Sequence, residues 1–173
     1  MRVEKTKLNG VLLIKPQVFE DHRGVYVETY NALEYNWAGV YATFVQDDYS
    51  RSRKNVLRGI HGDDVTWKLV SCLEGWLYLA VVDCRQEEPT FGAWQGFPLS
   101  ANNAWQVLVP PGFGNGHLAL SHRVIFHYKQ STYYDPDAQF SYRYDDPAFG
   151  IEWPLTEDPI LSKRDREAQW IDR

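Results

Sequence analysis

Cysteine is scarce in this chain: of 173 residues only Cys72 and Cys84 carry a thiol, too few for a disulfide framework or a four-cysteine zinc site. Both lie in apolar, strand-like stretches and are expected to be buried thiols. Long hydrophobic runs are missing too. The longest, Trp76 to Val82, falls far short of the roughly 20 residues of a membrane span. The charged N-terminus MRVEKTKLNG is not followed by the apolar stretch and small-residue cleavage site of a secretory signal. The expectation is a cytoplasmic protein with no membrane partner. Positive charge is in deficit, with 18 Lys+Arg against 23 Asp+Glu and a net charge of -5. No basic run offers a footprint for nucleic-acid phosphates, so nucleic acid is not an expected partner. A local basic site for a phosphorylated small molecule stays open, because net charge describes a whole surface and not one pocket. Repeats, linkers and low-complexity stretches are absent, and the length suits one domain, 1–173.

What the chain does contain is buriable surface, 44% hydrophobic and 15% aromatic, ample for a packed core. Residues 11–19, 24–30, 67–73, 75–84 and 105–111 are short and rich in β-branched and aromatic residues, which predicts strands. Turn signals such as Glu20-Asp21-His22-Arg23-Gly24, Glu74-Gly75 and Pro110-Pro111-Gly112 separate them. Helix is expected only at Asn31 to Ala38, where Asn31 can cap a short turn, and at Arg164 to Ile171. Frequent strands without long crossover helices point to an all-β fold, an antiparallel jelly roll with a mouth able to hold a ligand.

Among the histidines, His61 follows Leu57-Arg58-Gly59-Ile60. Side chains in a strand repeat with period two, so Arg58 and His61, three apart, share a face only if the strand is irregular, and Gly59 is a natural place for a bulge. Alone, His61 reads as a structural or surface histidine before a catalytic one. With Asp63 and His117 it also has the composition of the two-histidine, one-carboxylate triad of iron(II), 2-oxoglutarate-dependent oxygenases. Asp63 serves equally well as a cap of the turn Gly62-Asp63-Asp64.

Several segments then fall in one order: Val56-Leu57-Arg58-Gly59-Ile60-His61, Lys68-Leu69-Val70, Val82-Asp83-Cys84-Arg85 with Pro89-Thr90-Phe91-Gly92, Val109-Pro110-Pro111-Gly112-Phe113, Tyr128-Lys129 with Tyr133-Tyr134-Asp135-Pro136, Asp145-Asp146-Pro147 with Gly150-Ile151-Glu152-Trp153-Pro154, and Leu161-Ser162-Lys163-Arg164-Asp165. From about Val18 to Asp165 the chain resembles the nucleotide-4-keto-sugar 3,5-epimerases, which are cupin jelly rolls. The resemblance implies His61 as catalytic base, Asp165 as the carboxylate orienting it, Lys68 as the cation beside the sugar ketone and Tyr128 as the acid on the opposite face. It implies nucleotide contacts for Phe19, Arg23, Glu28 and Gln46, partly across a homodimer interface, a diphosphate contact for Arg58 and a substrate contact for Tyr134, while Asn115 and His117, where the chain departs from the family near the sugar, are further expected substrate contacts. No metal or other cofactor is implied, and the product would serve deoxysugar or heptose biosynthesis for surface polysaccharide.

The departures are local. The family's usual Gly-Phe-Ala-His-Gly-Phe reads Gly112-Phe113-Gly114-Asn115-Gly116-His117, the aromatic-Gln pair after the histidine reads Gly62-Asp63, and Asp48-Tyr49 stand where Asn-His is usual. With the short stretch from His61 to Lys68, these resemble the branch acting on GDP-linked 4-keto heptoses. A catalytically silent sugar-binding cupin is the other reading of the same fold. An edge-strand argument also points to a homodimer: the N-terminal segment is long enough to add a strand to a neighbour's sheet.

Overall fold

Alternating inward and outward side chains build two facing sheets in the computed structural model, which describes residues 1–171. The last two positions of the expected 1–173 domain lie outside the described residues. In chain order the elements are β1 (Arg2–Lys5), β2 (Leu12–Lys15), β3 (Val18–Asp21), β4 (Gly24–Val27), α1 (Ala32–Trp37), β5 (Gln46–Arg53), β6 (Leu57–Gly62), β7 (Lys68–Glu74), β8 (Trp76–Asp83), β9 (Trp94–Ser100), β10 (Gln106–Val109), β11 (Phe113–Ala119), β12 (Arg123–Gln130), β13 (Phe140–Ser141) and α2 (Lys163–Arg166). One sheet has the order β1-β2-β10-β7-β12-β5, the other β13-β6-β11-β8-β9, and β3 with β4 forms a separate hairpin. All these pairings are antiparallel. The fold is the all-β jelly roll that the strand pattern predicts.

Period-two alternation assigns the core. Val70 and Cys72 of β7, Leu77, Leu79 and Val81 of β8, Phe97 and Leu99 of β9, and Val124 and Phe126 of β12 point between the sheets and are buried together. Each such side chain contributes roughly 1.5–3 kcal/mol of burial. Along β12 the inward positions continue as Tyr128 and Gln130, and along β7 as Lys68, so the sandwich interior changes from apolar to polar toward one end. At that end the sandwich holds a polar cavity. Both cysteines are free and buried, as expected of core thiols.

Helix α1 lies against the outer face of the larger sheet through Tyr35, which packs with Ile14, Leu69 and Leu108. Asn31 caps it as predicted, its Oδ1 accepting from Leu33 N at 3.1 Å and Glu34 N at 3.4 Å. The C-terminal expectation needs correction: α2 starts behind Ser162 and stops at Arg166, whereas helix was expected through Ile171. Tertiary bonds claim those residues instead. Gln169 bridges to Tyr142, Arg143 N donates to Gln169 O, and Ile171 N donates to the Asp146 carboxylate at 2.8 Å. Residues 11–19 also divide into β2 and β3, since Pro16 has no N–H to donate to a ladder. No helix of the described residues is long and apolar enough to cross a membrane.

Candidate active site

Two residues of β6 enter the space between the sheets because the strand is irregular. Opposite it on β11, Asn115 pairs with His61 and His117 with Arg58, so Gly59 and Ile60 together face the single residue Gly116. This is the bulge expected at Gly59. Its φ is 118°, and a Cβ there would stand 2.4 Å from Gly116 Cα and 2.7 Å from Asn115 O, so only glycine fits. The bulge resets the alternation, and Arg58 and His61 line one cavity of about 390 Å³.

His61 is held from behind. Its Nε2 lies 2.6 Å from Asp165 Oδ1, with the Asp165 side chain 3% exposed and that of His61 27%. Gly59 N at 3.3 Å and the Ser162 hydroxyl at 2.7 Å also donate to this carboxylate. Burial pushes the Asp165 carboxyl up, but the bonds from His61, Ser162 and Gly59 outweigh it and hold the group below the usual carboxylate range. An ionised carboxylate can only accept, so Nε2 donates to it, and in the neutral ring Nδ1 is the nitrogen with the lone pair. Among the described residues Nδ1 has no hydrogen-bond partner. Ser162 also caps α2, accepting from Asp165 N at 3.1 Å, which fixes Asp165 at the mouth of the sandwich.

The opposite wall belongs to the larger sheet. Tyr128 of β12 packs on Phe126 at 5.5 Å between ring centroids, and its hydroxyl makes no hydrogen bond among the described residues. Burial pushes this phenol up from its ordinary value, with the Asp48 charge adding to the effect, so it stays protonated near neutral pH. Lys68, 8% exposed, lies one strand over on β7, in register with Gln130. Burial pushes its ammonium down, and Asp63 opposes this from 3.9 Å. Packed sheets stand about 10 Å apart, enough for a sugar ring between base and phenol.

Arg58, Gln46, Asn115, His117 and Tyr134 line the same cavity. Arg58 spends its Nε on Ser52 Oγ at 3.1 Å. Gln46 accepts from Tyr134 N at 2.9 Å and donates to Asp48 at 2.7 Å. Phe19, Arg23 and Glu28 are not brought in. Phe19 and Arg23 sit on the exposed hairpin, where Arg23 pairs with Asp21 at 2.6 Å, and Glu28 lines a separate hollow with Phe19 and Tyr35. Ser50, Asp48, Gln130, Ser162 and Arg164 also line the cavity and were missed as site residues. The alternation Gln46, Asp48, Ser50 on β5, which starts from the predicted Gln46, is the signal that could have found two of them.

The oxygenase reading does not assemble. Asp63 is 2% exposed, and its carboxylate is occupied by Val65 N, Thr66 N and Gln139 Nε2 at 3.0, 2.6 and 2.8 Å. It is a turn cap and not a third ligand to His61 and His117, and no metal-binding group of three appears among the described residues. The departure at Gly62 also has a physical account. A Cβ there would lie 2.4 Å from the Phe140 ring, so Phe140 fills the space beside His61 that a larger residue at 62 would need.

Comparison with known proteins gives the family and the fold. The sequence profile of dTDP-4-dehydrorhamnose 3,5-epimerase matches residues 5–172. The chain is 44% identical to the dTDP-4-dehydrorhamnose 3,5-epimerase of Salmonella typhimurium over 100% of its own length and 97% of the relative's. It is 35% identical to a dTDP-4-dehydrorhamnose 3-epimerase of Streptomyces niveus, over 97% of this chain and 83% of that one. Among solved structures, dTDP-6-deoxy-D-glucose-3,5-epimerase of Legionella pneumophila in complex with dTDP-4-keto-L-rhamnose superposes with a TM-score of 0.92 at 40% identity, covering 96% of this chain and 90% of that chain.

Proposed function

The chain belongs to the dTDP-4-dehydrorhamnose 3,5-epimerase family and is an isomerase of nucleotide-linked 4-keto sugars; from that premise we propose how its residues divide the work of inverting C3, C5 or both. A hydrogen beside a ketone is acidic because its loss gives an enolate, yet the acid is weak and needs a placed base and a cation at the developing oxyanion. His61 Nδ1 takes the proton, Asp165 steadies the imidazolium, and Lys68 faces the oxyanion. Tyr128 returns a proton to the other face of the carbon. One proton leaves and one arrives, so the step needs no electron acceptor. Arg58, with donors to spare beyond Ser52, takes the diphosphate, while Gln46, Asn115, His117 and Tyr134 contact the substrate.

One observation carries the reading: the His61–Asp165 pair at 2.6 Å faces, across a cavity whose other wall holds Lys68, a Tyr128 hydroxyl with no hydrogen-bond partner among the described residues. The silent-cupin reading has no use for a buried carboxylate aimed at an imidazole. Solvent deuterium uptake at C3 or C5 of a nucleotide 4-keto sugar tests the proposal. His61→Ala abolishes it, and unchanged exchange in that variant would remove His61 from the role of base. Calorimetry with dTDP, GDP, CDP and UDP assigns the nucleotide. Tightest binding of dTDP follows from the named relatives, and of GDP from the Gly62-Asp63 and Asn115–His117 departures.

The same reading makes the enzyme a cytoplasmic homodimer. In support, the β3–β4 hairpin pairs with no other strand among the described residues and exposes Phe19, Val25 and Tyr26 at 51%, 62% and 66%. Phe19, Arg23 and Glu28 then serve a partner's nucleotide site. A dimer mass in light scattering checks the assembly.

A further inference from the structure

Among the described residues, two buried side-chain atoms lack a hydrogen-bond partner: Ser50 Oγ and His117 Nε2. Both residues line the catalytic cavity, and both adjoin one ring. Ser50 is directly opposite Phe126 in the β5–β12 ladder, so it shares that residue's face of the sheet. The His117 imidazole stacks on Phe126 from the other sheet, with centroids 4.0 Å apart and planes 12° off parallel. Asn115, two residues along the same face of β11, adds an amide that bonds to no side chain or backbone group among the described residues.

Leaving a buried polar atom unsatisfied costs about 1–3 kcal/mol, and a wall with two such atoms is poorly matched to an apolar group. Desolvation pushes the His117 imidazole down to about 3, so the ring is neutral, with one nitrogen donating and one accepting. A serine hydroxyl also does either. A substrate hydroxyl, which donates one bond and accepts others, can pair with either atom whichever role that atom takes.

We propose that His117 and Ser50 form a hydroxyl-binding subsite on the inner wall of the sugar cavity, selecting a 4-keto sugar that presents a hydroxyl there over one that presents hydrogen or methyl. This rests on the epimerase reading of the site and goes beyond it by naming a determinant of sugar choice. A site built to bond a hydroxyl discriminates more strongly than an apolar pocket, since the analogue lacking it strands the protein's own polar atoms.

The test uses His117→Phe, which keeps a ring to stack on Phe126 but removes both nitrogens, and Ser50→Ala. Deuterium exchange is measured with three sugars on whichever of dTDP or GDP binds more tightly: a 4-keto-6-deoxyhexose, its 2-deoxy analogue, and a sugar with CH2CH2OH in place of the C5 methyl. Each variant lowers kcat/KM roughly 10- to 100-fold for sugars carrying one particular hydroxyl. The loss on the sugar without that hydroxyl is far smaller, so the parent's preference between the sugars collapses, and Ser50→Ala binds the bare nucleotide diphosphate as the parent does. An equal loss on all three sugars, no loss on any, or a matching loss of nucleotide binding overturns the proposal. If His117→Phe does not fold, Ser50→Ala alone decides by the same comparison. Failure of the parent protein to exchange any of the sugars would instead count against the epimerase reading.

Discussion

Replacing Asp165 by asparagine isolates the charge behind His61. Asp165 Oδ1 accepts from His61 Nε2 at 2.6 Å and Gly59 N at 3.3 Å, and Oδ2 accepts the Ser162 hydroxyl at 2.7 Å. An amide oxygen in the Oδ1 place keeps the first two bonds, and the amide NH2 then donates to Ser162 Oγ. The imidazole therefore keeps its tautomer and orientation, and only the negative charge is gone. Its loss is felt when His61 takes the substrate proton and becomes an imidazolium. Two unit charges about 4 Å apart attract by about 4 kcal/mol at an effective dielectric near 20, and a charge-assisted bond exceeds a neutral one by about 1–2 kcal/mol. With Asp165 buried and His61 part-exposed, about 2–4 kcal/mol of transition-state stabilisation disappears, roughly a 30- to 1000-fold fall in kcat. The assay is deuterium incorporation by mass spectrometry at saturating nucleotide 4-keto sugar, with calorimetry on the nucleotide diphosphate as control. KM and nucleotide affinity stay close to those of the parent. Exchange within twofold of the parent rate, or a loss confined to KM, refutes the assigned role.

Tyr128→Phe separates removal of the proton from its return: exchange through His61 continues, while inverted product falls roughly 10²- to 10⁴-fold by NMR, and equal loss of both would place Tyr128 elsewhere in the reaction. His117→Phe has a pH signature in stability. The unfolded imidazole takes up a proton near pH 6.5 and the folded one only near 3, so between those values the unfolded chain binds more protons and stability falls as pH drops. From pH 7 to pH 5 this residue alone costs about 2 kcal/mol. Urea denaturation at both pH values shows the variant losing that much less than the parent, and parallel losses would mean that His117 is not held neutral by burial.

Much of the fold was legible in local pattern. Richness in β-branched and aromatic residues over 67–73, 75–84 and 105–111 marked central strands, since a strand buried on both faces reads as a near-continuous apolar run. Strand β5, QDDYSRSR, was missed because its inward residues line a polar cavity instead of the core, and the signal that strand reading relies on is hydrophobic. The same blindness hid Asp48 and Ser50 from the site. The C-terminal helix was overextended because periodicity and propensity describe isolated segments, and they take no account of the bond from Ile171 N to Asp146.

Sequence alone determined which chemical groups were available and, at Gly59, where the backbone could break step, because a positive φ in tight contact with another strand admits one residue type. Antiparallel pairing then decided which groups meet. His61 and Asp165, 104 residues apart, come within 2.6 Å because the C-terminal segment returns across β6 and ends α2 beside it. Tyr128 and Lys68 face them because β12 and β7 are neighbours in the opposite sheet. His117, expected in the site at a departure from the family's pattern, acquired its unsatisfied nitrogen only through the stack on Phe126 and the closure of the sandwich. Burial is a property of the assembled sheets and cannot be read from one strand at a time.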